Sequence, residues 1–136
     1  MKLLDTSALI EIDRGDKEKA QKLDDEGKHA LNQVTVTEMF TGIEYKYERN
    51  TEKYREAREK LERLLSRFKI IQIDRSISIE SAKIITDLRK IGKPVNDLHD
   101  IYIAATAVKK DLEILTKNPR HFENIEGLEV RKWKEY

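Results

Sequence analysis

Residues 1–13 read Met1-Lys2-Leu3-Leu4-Asp5-Thr6-Ser7-Ala8-Leu9-Ile10-Glu11-Ile12-Asp13. A brief apolar run, Lys2–Leu4, stops abruptly at Asp5. Thr6 or Ser7 can then cap a helix over Ala8–Asp13, since a hydroxyl accepts from the free amides of a first helical turn. The same alternation continues down the chain. Asp16–Glu26 reads as a polar helix closed by Gly27, and Ala30–Val34 as a second strand. Val36, Met39, Phe40 and Ile43 then recur at helical spacing. Thr51–Phe68 is the clearest helix, with Tyr54, Ala57, Leu61, Leu64, Leu65 and Phe68 as its apolar stripe. Ile70–Ile73 is a third strand, followed by Ser76 as cap of a helix to Ile91. Gly92 and Pro94 break the chain before a helix from about Asp97 to Lys110. Glu113–Thr116 is a fourth strand, Asn118-Pro119 a turn, and Leu128–Val130 a short last strand. Strands alternating with helices imply an α/β fold: a central parallel sheet between two helical layers. Ligands of such sheets bind at the carboxyl ends of the strands, near a topological switch point.

Composition narrows the chemistry. The chain has 136 residues, which suits one domain over 1–136. It has no cysteine, so disulfide frameworks, cysteine zinc sites, thiol nucleophiles and iron–sulfur ligation are excluded. The net charge of +1 does not by itself point to a polyanion. Charged residues reach 39%, against roughly 25% in an average domain, which suggests ion-pair networks on the surface. Asp5 interrupts the first apolar run too early for a signal peptide or membrane span, so a soluble, cytoplasmic protein is expected.

Five residues at four places in the chain carry the chemical interest. Asp5 ends the first strand, and its plainer reading is a helix cap or a solvated loop acid. Glu38 completes Thr35-Val36-Thr37-Glu38, which fits a capping box and would place the carboxylate at a helix start. Asp97 and Asp100 are three apart, on one side of a helix whose stripe of Ile101, Ala104, Ala105 and Val108 faces a core. Buried like charges are costly, and a helix dipole relieves only about 0.3–1 kcal/mol, so a divalent cation would do far more. Asn118, just past Thr116, can orient a water or simply make a turn. With strand one central, the acids would converge on one pocket whose oxygen-only ligands suit Mg²⁺ or Mn²⁺. His29, His99 and His121 are scattered and read as surface residues.

The chain resembles PIN-domain nucleases, specifically the VapC-type toxins of toxin–antitoxin pairs. The resemblance rests on Leu3–Ile10, Thr35–Gly42, Asp100–Ala107, Leu115–Asn118 and Phe122–Val130, in the right order. It implies a strand order of 3-2-1-4-5 and an acidic pocket that binds Mg²⁺ or Mn²⁺ and cuts RNA. It also implies a homodimer and a cognate antitoxin partner. Asp5, Glu38 and Asp100 match the principal acidic positions, and Asp97 matches a frequent additional acid. Asn118 stands where many members carry Asp, while Thr6 and Ser7 match a hydroxyl pair. Thr116 and Asn118 join these hydroxyls as supporting residues. In the mechanism this implies, Asp5 and Asp100 hold the ion, Glu38 orients or deprotonates the attacking water, and Asp97 supports a second, weaker ion.

Basic residues would have to compensate for the acids. Between Glu44 and Lys69 there are nine Lys/Arg and six Asp/Glu, and Arg131-Lys132-Trp133-Lys134 adds a basic strip whose aromatic could stack a base. Phe40, Ile43, Tyr45 and Tyr47 are candidates for a dimer or antitoxin interface. Two other readings stay open: a PIN nuclease of RNA processing, and a PIN-fold module that binds RNA or protein without cutting. A haloacid-type phosphatase would need Asp where Ser7 stands, and glycines 15, 27, 42, 92 and 127 never cluster into a phosphate loop.

Overall fold

The computed structural model describes residues 1–93 and 97–136; the break expected at Pro94 lies outside them. Five strands form one parallel sheet in the order β3-β2-β1-β4-β5. The strands are β1 (Lys2–Leu4), β2 (Ala30–Asn32), β3 (Lys69–Ile71), β4 (Glu113–Thr116) and β5 (Val130–Lys132). Between them run α1 (Thr6–Asp13), α2 (Lys17–Glu26), α3 (Gln33–Lys46), α4 (Glu52–Leu65), α5 (Arg75–Lys90) and α6 (Leu98–Lys110). Two 3₁₀ turns, Pro119–Phe122 and Trp133–Glu135, flank β5.

Successive strand residues face opposite sides of the sheet, and here each side has its own core. Leu3, Ala30 and Ile114 pack with α5 and α6 residues such as Ile77, Ile84, Ile101 and Ala105. Leu4, Leu31 and Leu115 pack on the other side with Leu9, Leu23, Leu61 and Leu65. The three-layer α/β architecture is therefore present, with β1 in the centre. The chain leaves β1 towards β2 and later returns on its other side as β4. The carboxyl ends of β1 and β4 thus flank the crevice in which such folds bind ligands.

Several local expectations are corrected, each by a side chain that competes better for the same backbone. Asp5, not Thr6 or Ser7, caps α1 by accepting from the Ala8 amide. There is no capping box at Thr35: β2 ends at Asn32 rather than Val34, and Asn32 caps α3 by accepting from Val34 N at 2.7 Å. Thr35 is buried inside that helix and Glu38 sits further along it. Asp74, not Ser76, caps α5. The strand expected over Ile70–Ile73 is shifted to Lys69–Ile71, and the one at Leu128–Val130 to Val130–Lys132. Trp133 is no base-stacking surface; it is 5% exposed and packs into the second core.

His29 is not a surface residue either. It is buried, with Nδ1 accepting from Lys2 N at 2.9 Å and Nε2 donating to the Leu23 carbonyl at 3.0 Å. Burial pushes its pKa down, and this pair of bonds needs the neutral ring. The expected surface ion pairing is present. Lys2 bridges Glu26 at 2.8 Å and Glu113 at 4.0 Å, and Arg131 also reaches Glu113.

Asn32 joins the layers beneath the site. It is fully buried, and its Nδ2 donates to Thr106 Oγ1 on α6 at 2.6 Å while its Oδ1 caps α3. Replacing Asn32 by Ala removes the cap and leaves the Val34 amide without its buried acceptor. A loss of about 2–3 kcal/mol is expected in urea unfolding; a change below about 0.5 kcal/mol would show that this bond pair does not hold α3.

Candidate active site

Asp5 is 3% exposed at the end of β1. Its Oδ1 accepts from the Ala8 amide at 3.0 Å and the Ser7 hydroxyl at 2.6 Å, and its Oδ2 accepts from the Thr116 hydroxyl. Thr116 stands at the end of β4, so this bond crosses the mouth of the crevice. The same Thr116 oxygen accepts from Asn118 N at 2.9 Å, and Ser7 Oγ accepts from Lys117 N at 3.0 Å. The β4 turn is thereby tied to the start of α1. Burial raises the Asp5 pKa, while the bonds from Ser7, Thr116 and Ala8 oppose that rise.

The other acids arrive on helices. Glu38 Oε1, on α3, accepts from the Thr6 hydroxyl at 2.6 Å. That hydroxyl also lies 3.2 Å from Thr35 Oγ1, so α1 and α3 meet through side-chain oxygens. Asp97 caps α6 by accepting from His99 N at 2.8 Å and is half exposed. Asp100, in the first turn of α6, has a side chain only 15% exposed. Its pKa is pushed up to about 6, chiefly by burial and then by repulsion from Asp97, Asp5 and Glu38, against an opposing pull from His121. A chain of contacts links these acids: Thr6, next to Asp5, bonds Glu38, His99 lies against both Glu38 and Asp97, and Asp100 follows one turn along α6 with His121 beside it.

Two residues of the site were missed in the sequence. His121 Nδ1 lies 3.0 Å from Asp100 Oδ2, and His99 Nδ1 lies 3.3 Å from Glu38 Oε2 and 3.6 Å from Asp97 Oδ1. The position of His99 between two acids on one helical turn was a usable signal. His121 gave none, because its contact depends on how the Pro119–Phe122 turn packs. Asn118 enters through its backbone amide, and its side chain does not cap the turn it opens.

The donor set fits a hard divalent cation in kind: carboxylate oxygens of like charge, two of them with raised pKa. Among the described residues, no three His, Asp or Glu side chains form a ready-made metal-binding group. Beside Glu38 opens a groove of about 460 Å³ between α1, α3 and α4. Ile10, Met39, Ile43 and Leu61 line it, with Arg14, Lys46 and Lys60 around them.

A model of the PIN domain matches residues 2–128. The chain belongs to the PIN domain family. Within it, the chain is 35% identical over 131 residues to "Ribonuclease VapC1" of Methanocaldococcus jannaschii, covering 94% of this chain and 85% of the relative. The fold superposes on a DNA-bound VapBC structure from Salmonella typhimurium with TM-score 0.84 and 24% identity, over 98% of this chain and 99% of the other. A toxin–antitoxin complex from Klebsiella pneumoniae gives TM-score 0.70 and 28% identity over 97% of each chain.

Asp100 offers a direct check on the shared field of this PIN site. Its native pKa lies above the ordinary carboxylate value, so its proton stabilises the fold at low pH, and that contribution is lost as pH rises from about 4 to about 6. Asp97→Asn removes a like charge and is expected to lower the Asp100 midpoint, whereas His121→Gln is expected to raise it. Carboxyl ¹³C shifts followed against pH read both. Midpoints unmoved by either change would mean that these groups do not face one another.

Proposed function

We propose that this PIN protein is a VapC-type toxin ribonuclease that hydrolyses RNA phosphodiester bonds with Mg²⁺ or Mn²⁺. The observation that carries the reading is the run of contacts from buried Asp5 through Thr6, Glu38, His99 and Asp97 to Asp100 beside the β1–β4 crevice. Asp5 and Asp100 would hold the ion, with Asp97 beside them. When bound, the ion neutralises charge on the phosphoryl oxygens and makes a water easier to deprotonate.

The chain's own groups supply the rest. Thr6 fixes one oxygen of Glu38 and His99 stands beside the other, and this held carboxylate would orient the attacking water and take its proton. Ser7 and Thr116 hold Asp5 in a single rotamer, so its oxygens need no reorganisation during reaction. The water oxygen bonds to phosphorus as the bond to the 3′ oxygen breaks. The products are a 5′-phosphate and a 3′-hydroxyl, the latter gaining its proton from solvent.

An antitoxin would occupy the groove that starts at Glu38. An amphipathic helix fits such a concave apolar floor. Occupation of that groove covers one side of Glu38 and so blocks the approach of water.

The test is cleavage of an RNA pool with Mn²⁺, without metal, and by the Asp5→Asn variant, with the fold checked by circular dichroism. Cleavage by the parent protein with Mn²⁺ is expected to fall at least a hundredfold in the other two arms. Equal cleavage in all three, or none in any, would remove the metal-dependent nuclease reading.

A further inference from the structure

A strand of RNA must approach four carboxylates, so some cation has to be fixed close to them. Most basic groups near the crevice are already engaged. Lys117 is bound to Glu11 at 2.7 Å, with Arg14 3.7 Å from the same carboxylate. Lys60 lies 3.8 Å from Asp13, and Lys46 sits over the ring of Tyr47. Arg120 differs: it is exposed, and among the described residues its guanidinium has no carboxylate partner.

Its setting is unusually rigid for a turn residue. At one end, Asn118 N donates to Thr116 Oγ1, and the Thr116 hydroxyl is bound to Asp5. At the other, His121 stands 3.0 Å from Asp100, and Phe122 is buried in the first core at 1% exposure. Pro119 opens the 3₁₀ turn and fixes its own φ. The backbone of Arg120 is therefore locked to both acids proposed to hold the ion. Residues 117–121 carry Lys, Arg and His and no acid, so this short arc is the cationic edge of an otherwise acidic mouth.

We propose that the turn after β4 is the phosphate-binding edge of the site, and that Arg120 grips a backbone phosphate of the RNA strand next to the one being cut. The inference rests on the ribonuclease reading and adds a substrate-binding residue to it. A guanidinium offers two parallel donors to a phosphate, which fixes orientation as well as charge; an ammonium supplies charge alone. A phosphate contact carries no base preference, so Arg120 sets the position and affinity of the strand rather than the sequence cut.

The experiment uses full-length protein carrying Glu38→Gln to slow cleavage, Mn²⁺, and a fluorescent single-stranded RNA 12-mer of mixed sequence. Binding is read by anisotropy over a series of KCl concentrations. Arg120→Ala is expected to weaken binding about tenfold and to flatten the dependence of log K on log salt by about 0.7, the share of one phosphate contact on a single strand. Arg120→Lys should restore most of the salt slope but only part of the affinity. Lys28→Ala, exposed just before β2 and so at the amino-terminal end of the sheet, should change neither. In protein with Glu38 intact, Arg120→Ala should raise KM for RNA with kcat within about twofold. If the parent protein binds and cuts RNA while Arg120→Ala behaves like Lys28→Ala, the inference alone is overturned. If the parent neither binds nor cuts, the ribonuclease reading falls and takes the inference with it.

Discussion

A carboxylate that is almost fully buried, at the end of the central strand, constrains this structure more than any other group. An unpaired buried charge is costly, so Asp5 is tolerable only with donors on both of its oxygens. The Ala8 amide and Ser7 hydroxyl serve one oxygen, and the Thr116 hydroxyl serves the other. Those bonds are also structural joints: Ala8 belongs to the first turn of α1, and Thr116 ends the neighbouring β4. The same interaction therefore caps a helix, closes the crevice between two parallel strands and fixes the orientation of a charge. An apolar replacement at this position would be easier to bury. It would also leave Ser7, Thr116 and the Ala8 amide without their shared acceptor.

From that anchor the remaining acids are arranged so that compensation stays incomplete. α1 and α6 present their amino-terminal turns to the crevice and are capped by Asp5 and Asp97, which places positive dipole ends behind the carboxylates. His99 and His121 stand beside Glu38, Asp97 and Asp100. These groups still leave Asp100 with a pKa near 6, far above an ordinary aspartate. Burial is the chief cause and repulsion from the neighbouring acids adds to it, and a carboxyl perturbed in this way is a common mark of functional sites. The fold bears the cost by packing two separate apolar cores around a sheet whose strands are only three or four residues long.

Much of this was legible in the chain before any coordinates. Strongly periodic segments such as Thr51–Phe68, and the abrupt stop at Asp5, located the helices and the central strand to within a few residues. The PIN resemblance supplied the strand order that spacing alone does not fix. The failures were local competitions. Thr35 to Glu38 has the spacing of a capping box, but Asn32 wins because it can cap α3 and bond Thr106 at once, a contact that only the packed layers create. Trp133 reads as exposed in a basic tail, yet the second core has room for it and apolar burial decides. His29, His99 and His121 are equally polar on paper. What separates a buried structural ring from two site residues is tertiary placement, which no periodicity encodes.

The central claim is that acids from β1, α3 and α6 enclose one place for a hard cation at the β1–β4 crevice. Anomalous diffraction from crystals soaked in Mn²⁺ tests it most directly, with no reliance on a substrate. The account expects one principal Mn²⁺ peak within coordination distance of both Asp5 and Asp100, and its loss in crystals of Asp5→Asn. A peak bound elsewhere on the surface, or one that persists unchanged in Asp5→Asn, would contradict it.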